Sequence, residues 1–423
     1  MDQQTQQFTK TDTHTPIKKP EILAPGGTLE KLKMAIHYGA DACYIGGEAY
    51  GLRSRAGNFN YEEMAEAVEF AHAHGSKVYV VANMITHEKD EQGAGEFFRT
   101  IRDIGIDAVL ISDPALMDIC VTDAPGLPIH LSTQASATNY ETLNFWAEEG
   151  LERVVLAREV SMEEIQFMRE HVDVEIEAFV HGAMCISYSG RCVLSNHMSG
   201  RDANRGGCSQ SCRWKYGLFE IDSQGSKHDF TREEAIREKF AMSSVDLSMI
   251  EHIPDLINSG IDSLKIEGRM KSIHYVSTVV NVYRNAVDSY CQDPENYVLK
   301  QEWIDELWKA AQRELATGFY YGIPTENEQL FGKPRRIPQY NFVGQVLDYD
   351  EETKIATIQE RNKFVVGDTI EFYGPGMRHF TQIVEKIWDE EDQEIQEAIH
   401  PMMICKIKVD QPVEIYDMMR KQK

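Results

Sequence analysis

The sequence predicts an α/β fold: a (β/α)8 TIM-like barrel with a long cysteine-containing insertion, followed by a small C-terminal β-barrel. Three observations support this prediction. Short apolar runs alternate with stretches of helical periodicity over residues 20–292. One connection, at about 183–247, is far longer than a strand-to-helix loop normally is. The last segment, 339–423, changes to short alternating runs separated by Gly, Pro and Asp.

The eight strand candidates are short and apolar, and helical periodicity follows most of them. They read EILAP, ACYIGG, KVYVVANM, AVLIS, PIHLS, RVVLA, VEIEAFV and SLKIEG. In the first helix Leu29, Leu32, Ala35 and Ile36 recur at helical spacing, and Gly39 marks the end. Strands that are joined through helices pair in parallel, and closure of eight of them into a barrel is the simplest arrangement.

The remaining segments carry weaker patterns. Residues 1–19 are polar and lack apolar periodicity, which predicts a disordered tail. The segment 293–338 contains a helical stretch, EWIDELWKAAQREL, and a linker, FGKPRRIPQY. Inside the insertion, GLFEIDSQGSKHDF predicts a local hairpin.

The start of the chain has no apolar signal region, and no uncharged apolar run is long enough to span a bilayer. We therefore expect a cytoplasmic protein without a membrane partner.

The formal net charge is −25, from 43 Lys and Arg against 68 Asp and Glu. A chain this acidic is not expected to bind nucleic acid over its whole surface. The balance reverses between residues 185 and 215, which hold five basic residues and one acidic residue. Cations at this density lower the pKa of neighbouring thiols and attract anionic substrates.

Four of the eight cysteines lie in this same stretch with the spacing C-x6-C-x15-C-x3-C; they are Cys185, Cys192, Cys208 and Cys212. In a reducing compartment such a cluster indicates metal binding and not disulfides. Four thiolates suit either a zinc ion or an iron–sulfur cluster. The x3 pair fits structural zinc, whereas the x6 spacing fits it less well. Spacing alone therefore leaves zinc, a cluster and unligated thiols open.

The stretch HGAMCISYSGRC, with EILAPGG, LRSRAGNF, HLSTQASATN and LKIEGRMKS, resembles the collagenase-like peptidase family of unassigned mechanism. The likeness spans most of residues 20–290, and the C-terminal domain also fits. Within the family the chain is most similar to the branch of prephenate-dependent tRNA uridine hydroxylases. The resemblance implies hydroxylation of the wobble uridine of tRNA to 5-hydroxyuridine, with prephenate as co-substrate. It also implies that the four clustered cysteines hold an iron–sulfur cluster with four irons, and it leaves a paralogous family member open as a second partner besides tRNA.

The family name keeps a collagenase-like peptidase as the alternative function. Hydrolysis by a nucleophile needs a Ser or Cys beside an activating base, for which Ser187, Ser189 and His181 are candidates. Nothing in their spacing specifies a triad, and the metallopeptidase pattern H-E-x-x-H does not occur.

Residues at the strand ends supply the other candidate site groups that the hydroxylase hypothesis requires. Guanidinium and ammonium groups would bind the carboxylates of prephenate, an amide would read the edge of a uracil, and an acid or imidazole would transfer protons. The substrate-binding candidates are Arg53, Arg55, Gln134, Arg158, Arg269 and Lys271, and the catalytic candidates are Glu177, His181 and Glu267. For each of these side chains the alternative is structural, namely an ion pair or a hydrogen bond at the end of the sheet.

RNA contacts would come from the basic insertion and from the linker, since both concentrate positive charge on an acidic chain. The candidates are Arg201, Arg205, Arg213, Lys333, Arg335 and Arg336. The aromatic residues Tyr188, Trp214 and Tyr216 could stack on unpaired bases, with core packing as their alternative role.

Overall fold

The computed structural model describes residues 17–52, 57–216, 220–221, 224, 227–228, 242–325, 328 and 339–423. Five candidate site residues of the sequence lie outside these ranges; they are Arg53, Arg55, Lys333, Arg335 and Arg336.

Eight parallel strands form a closed barrel, as the sequence predicted. They are β1 (Glu21–Pro25), β2 (Ala42–Gly46), β3 (Lys77–Ala82), β4 (Ala108–Ile111), β5 (Ile129–Leu131), β6 (Arg153–Val155), β7 (Glu175–Ala183) and β8 (Ser263–Ile266). Each strand pairs with the next, and β8 closes the barrel by pairing with both β1 and β7. All eight predicted apolar runs therefore supply one strand each.

Helices connect the strands and surround the barrel. They are α1 (Leu29–His37), α2 (Tyr61–Ala73), α3 (Ala94–Ile104), α4 (Pro114–Asp123), α5 (Tyr140–Glu148), α6 (Met162–Arg169), α7 (Ile253–Asn258) and α8 (Ile273–Gln292). Side-chain caps fix several starts: Asn60 with Glu63 forms a capping box on α2, and Ser161 with Glu164 forms one on α6. These caps satisfy backbone N–H groups that the first helical turn leaves without partners.

The layer between the barrel strands and the surrounding helices is apolar, which explains why the strands read as apolar runs, whereas the barrel interior holds an ion-pair network of Glu21, Arg153, Glu177 and Lys265. Ile22, Val80, Val109, Val154 and Leu264 are fully buried in one contiguous core. Burying such a side chain contributes roughly 1.5–3 kcal/mol to stability. Among the described residues no helix is both long and apolar enough to cross a membrane.

The sheet continues beyond the barrel at one place. Strand β7 has nine residues, and its carboxyl end pairs antiparallel with Asp246–Ser248, which we call the rim strand. The rim strand pairs in turn with Leu315–Ala316. The predicted helix EWIDELWKAAQREL is therefore too long: α9 (Gln301–Ala310) ends first, and Leu315 belongs to a strand because it finds this partner.

Two further elements lie within the long insertion. A six-residue helix, Leu194–Ser199, is found between the second and third clustered cysteines. The predicted hairpin is confirmed, since Glu220–Ile221 pairs antiparallel with Lys227–His228.

The C-terminal domain is an antiparallel sheet with its own apolar core, in agreement with the predicted all-β domain. Its longer strands are β9 (Tyr340–Asp350), β10 (Ile355–Glu360), β11 (Thr369–Tyr373), β12 (His379–Ile383), β13 (Ile404–Lys408) and β14 (Met418–Gln422). Two-residue strands, Ile387–Trp388 and Glu394–Ile395, extend the sheet beyond β13. Within residues 339–423 no ladder joins β12 to Glu394–Ile395, so the two ends of the sheet are not paired with each other.

A buried arginine joins this domain to the barrel domain. Arg420 on β14 is fully buried and forms ion pairs with Glu306 on α9 and with Glu371 on β11. The hydroxyl of Tyr38, which follows α1, donates to the backbone carbonyl of Tyr373 at 2.7 Å.

Candidate active site

A cavity of about 230 Å³ opens at the carboxyl end of the barrel strands. It lies beneath residues 184–216, which carry the four clustered cysteines and which we call the cysteine segment. TIM barrels place their chemistry at this end. All four clustered cysteines line the cavity, and the side chains that face them are mixed. The apolar lining includes Tyr44, Leu52, Val81, Leu110, Phe179, Met184 and Ile186, and the charged lining is Arg158, Arg213, Lys265, Glu267, Arg269 and Lys271. The cavity therefore suits a small, partly apolar anion.

The four thiols are near enough to influence one another. Burial raises the pKa of the Cys212 thiol; the Arg213 guanidinium opposes this effect, and Cys185, Cys208 and Cys192 add to it. The backbone N–H of Leu194 donates to Cys192 Sγ at 3.3 Å. Among the described residues no group of three His, Cys, Asp or Glu side chains is arranged closely enough to hold a single metal ion.

The cysteine segment is anchored to the opposite side of the barrel mouth. Arg205 forms two hydrogen bonds with the carboxylate of Asp90, at 2.5 and 2.8 Å, and a third with the carbonyl of Ile85 at 3.0 Å. The N–H of Ile85 donates to the carbonyl of Asn204 at 3.0 Å. Arg205, predicted to contact RNA, is therefore occupied in holding the segment against the connection between β3 and α3.

Two other basic residues of the segment donate to neutral acceptors. Arg201 donates to the carbonyl of Cys208 at 3.4 Å, and Arg213 donates to Gln210 Oε1 at 3.0 Å. Arg213 lines the cavity, and burial together with the positive charge of Arg313 lowers its pKa. Their charges remain available to an anionic ligand, because a neutral acceptor does not cancel them.

Two cations lie against one phenyl ring in the cavity. The guanidinium of Arg158 lies 3.9 Å from the centroid of the Phe179 ring and donates to the carbonyl of Ala183 at 2.8 Å. Lys265 Nζ lies 5.4 Å from the same centroid and 4.7 Å from that of Tyr44. Such cation–π contacts stabilise a buried cation without using its N–H donors, which can therefore bind a ligand.

Arg269 and Lys271, predicted to bind substrate, both reach the cavity. Arg269 donates to Asn58 Oδ1 at 3.0 Å. Its guanidinium lies against Gly46, where a Cβ would be only 2.2 Å from Nη2, so a larger residue at position 46 would displace the guanidinium. Lys271 Nζ lies 3.4 Å from the buried carboxylate of Asp246, and burial lowers its pKa.

Gln134, the predicted amide, lies in the cavity wall on a short 3-10 helix after β5. Its Nε2 donates to the carbonyl of Gly190 at 3.1 Å, whereas its buried Oε1 has no partner among the described residues. The amide thus holds the cysteine segment and still offers one acceptor.

The three catalytic candidates occupy different surroundings. Glu267 lines the cavity, and the Tyr44 hydroxyl donates to its Oε2 at 3.3 Å. Glu177 is fully buried inside the barrel, where it forms ion pairs with Lys265 at 2.6 Å and with Arg153 at 3.4 Å. Glu177 does not line the cavity. Its contacts are the buried ion pairs of an acid with a structural role, the alternative to proton transfer.

His181 is also buried and does not line the cavity. Its Nδ1 lies 3.4 Å from the Tyr283 hydroxyl, and burial lowers its pKa to about 4. Ser189 Oγ donates to Glu159 at 2.5 Å, while Ser187 Oγ is buried with no partner among the described residues. No hydrogen bond between the described residues joins either serine to His181, so the groups of the peptidase alternative are not arranged as a nucleophile and its base.

Lys265 and Tyr44 are site residues that the sequence reasoning did not select. Both belong to strands whose other residues, apart from Ser263, are apolar, and a charged or aromatic hydroxyl side chain within such a run was the available signal. Lys265 alternates with residues that face the helices, so its side chain must point into the barrel.

Comparisons with known proteins agree with the architecture. The family description "Peptidase family U32" matches residues 27–330, and "Peptidase family U32 C-terminal domain" matches residues 338–420. The "tRNA hydroxylation protein P1" of Bacillus subtilis is 53% identical over 96% of this chain and 96% of its own length. The "tRNA hydroxylation protein P" of Escherichia coli is 36% identical over 86% of this chain and 88% of its own length.

A ribosomal relative matches a shorter part. A "23S rRNA 5-hydroxycytidine C2501 synthase" of Escherichia coli is 36% identical over 64% of this chain and 40% of its own length. The family assignment therefore rests on both family descriptions and on the high coverage of the Bacillus relative, in addition to the motifs. The chain therefore belongs to peptidase family U32, the collagenase-like peptidase family that its strand-end and cysteine motifs resemble.

Proposed function

We propose that this chain is a tRNA-modifying enzyme that hydroxylates the wobble uridine to 5-hydroxyuridine, with prephenate as co-substrate and an iron–sulfur cluster on the four clustered cysteines. The observation that carries the proposal is the shared cavity of four thiols and five basic side chains. It occurs in a chain that is 53% identical to a protein named for tRNA hydroxylation.

The donor set fits the cluster. Four thiols from one segment face one cavity, and thiolates are the ligands that iron–sulfur clusters use. Arg213 beside Cys212 would stabilise the negative charge of ligated thiolates. When bound, the cluster would supply electron transfer or Lewis-acid chemistry that no side chain provides.

The protein's own groups would bind and orient the two organic substrates. Arg158 would hold a carboxylate of prephenate through charge-assisted hydrogen bonds. The acceptor Gln134 Oε1 is suited to the N3–H of a uracil ring, and Glu267 would hold the proton that leaves C5. The apolar lining excludes water and so strengthens these interactions.

The target base must leave the anticodon stack to reach a barrel mouth. Tyr188 and Trp214 in the cysteine segment are exposed, at 55% and 42%, and could stack on the displaced or neighbouring bases. The positive charges of Arg201 and Arg213 would meet the phosphates nearby.

The deciding experiment measures wobble-uridine modification by mass spectrometry in a strain that lacks this gene and any paralogue. Complementation with the parent should restore 5-hydroxyuridine or its derivatives, and Cys208→Ala should not. Cys291→Ala is the matched control, because Cys291 lies at the end of α8 and outside the cavity. Unchanged modification in the deletion strain would contradict the function.

The cluster is tested separately on protein purified without oxygen. The parent and Cys291→Ala should contain iron and sulfide and absorb visible light, and Cys208→Ala should lose both properties. Zinc in place of iron in the parent would contradict the cluster. Peptide cleavage that survives Cys208→Ala would favour the peptidase alternative.

A further inference from the structure

A buried lysine forms part of the cavity wall. Lys265 on β8 is 5% exposed, and its Nζ donates to Glu177 Oε1 at 2.6 Å. A lysine is rarely buried unless it is paired or used, and the pairing here takes one of its three N–H donors. Tyr44 and Phe179 flank the ammonium group and leave it facing the cavity.

A second cation shares the Phe179 ring. Arg158 follows β6 and Lys265 lies on β8, and these two strands are the neighbours of β7, which carries Phe179. The two charges therefore approach one phenyl ring from the two adjacent strands. Phe179 thus holds the two positive groups at one place in the cavity wall, with the Arg158 guanidinium over its ring.

The charges that balance these cations lie behind the wall. Glu177 and Asp246, which pair with Lys265 and Lys271, do not line this cavity. The lining contains five basic side chains and one acidic side chain, Glu267. A ligand in the cavity therefore meets excess positive charge around an apolar centre.

We propose that Lys265 and Arg158 each bind one carboxylate of a small organic acid whose apolar ring lies against the apolar side chains of the cavity wall, among them Val81 and Leu110. The inference deepens the proposed function, on which it rests for the choice of prephenate as the probe. Lys265 is thereby a substrate-binding residue, and Glu177 is the positioning residue that holds its ammonium group in place.

The test is calorimetric titration of prephenate into the full chain without tRNA. Lys265→Met and Arg158→Gln should each weaken binding by about tenfold to a hundredfold, the loss of one charge-assisted hydrogen bond. The double variant Lys265→Met with Glu177→Gln should show the same loss, because it removes the buried acid along with its partner. Lys363→Met, at an exposed ion pair of the C-terminal domain, is the matched control and should bind as the parent does.

A second ligand makes the result specific. Phenylpyruvate has an apolar ring and one carboxylate, so it should respond strongly to one of the two substitutions and weakly to the other. Prephenate should respond strongly to both. Equal sensitivity of both ligands to both substitutions would contradict the assignment of one carboxylate to each cation.

Two further outcomes would overturn the proposal. One is a parent that does not bind prephenate, and the other is a folded double variant whose affinity stays within about twofold of the parent. Should the variants fail to fold, prephenate must protect Lys265 of the unaltered protein from reductive methylation, measured on its peptide by mass spectrometry; equal methylation with and without prephenate would refute the contact. Because tRNA is absent, a failure of tRNA hydroxylation would count against the proposed function and not against this site.

Discussion

The side-chain amide of Asn204 bonds both backbone polar groups of Cys192. Asn204 Oδ1 accepts from the Cys192 N–H at 3.2 Å, and Nδ2 donates to the Cys192 carbonyl at 3.1 Å. The Asn204 carbonyl in turn accepts from the N–H of Ile85. The position of one clustered cysteine is therefore fixed from the far side of the barrel mouth.

Substitution of Asn204 should loosen this cysteine without removing a thiol. Partners that orient ligands typically change metal affinity by about tenfold to a hundredfold, so Asn204→Ala should lower iron retention on that scale. Asn204→Asp keeps the acceptor and loses the donor, and should lie between the two. Iron is measured after dialysis against a chelator, with Asn362→Ala, another Asn that bonds a backbone carbonyl, as the control. Equal iron in all four proteins would show that Cys192 does not need this anchor.

Arg201 and Arg205 should differ in their effect on tRNA binding. Arg201→Gln should reduce the slope of log affinity against log salt concentration by about one, the loss of one phosphate contact. Arg205→Gln should leave the slope near that of the parent, because Asp90 already pairs with Arg205. The slopes come from titrations of labelled tRNA at several salt concentrations. A larger change for Arg205 than for Arg201 would contradict this distinction.

The Arg420 ion pairs should be essential for stability. Arg420→Met would leave the buried carboxylates of Glu306 and Glu371 without their main partner, at a cost of about 3–5 kcal/mol. The control is Lys421→Met, at the residue that follows Arg420. It removes a partly exposed ion pair with Asp368 and should cost at most about 1 kcal/mol. Both values are measured by denaturant unfolding. Similar losses in the two variants would argue against a special role for the buried pairs.

His274 should make stability depend on pH. Burial lowers the pKa of His274 to about 3, against about 6.5 in an unfolded chain. As the pH falls below 6.5 the unfolded chain takes up this proton and the folded protein does not, so stability decreases between pH 6.5 and 3.

The variant His274→Phe isolates this contribution. Between pH 7.5 and 5 the parent should lose about 2 kcal/mol more than the variant. Phe keeps the ring that stacks on Phe342. The measurement is urea unfolding at both pH values, and parallel losses would show that His274 is not responsible.

The barrel could be predicted from sequence because its signal is local. Each strand is a short apolar run followed by a connection, and no long-range information is needed to find it. The end of α9 could not be predicted in this way. Leu315 leaves the helical pattern because it pairs with Asp246, about 70 residues earlier in the chain.

Only part of the candidate site could be predicted from the sequence, for the same reason. The four cysteines that the sequence clusters in one stretch line one cavity, but nothing in the sequence separates Arg201 from Arg205. The difference is Asp90, which lies 115 residues away from Arg205. Glu177 likewise cannot be distinguished from a proton-transferring acid until its partners, Lys265 and Arg153, are known.

The pairing of Ala183 with Asp246 determines how the long insertion that contains the cysteine segment could change in evolution. The chain leaves the barrel at one of these residues and returns at the other, and they are direct partners in an antiparallel ladder, about 5 Å apart. A segment with adjoining ends can be lengthened, shortened or exchanged with little strain on the strands that carry it. This ladder is thus a natural graft point, where the segment from a relative with another RNA substrate could be transplanted while the eight strands keep their register.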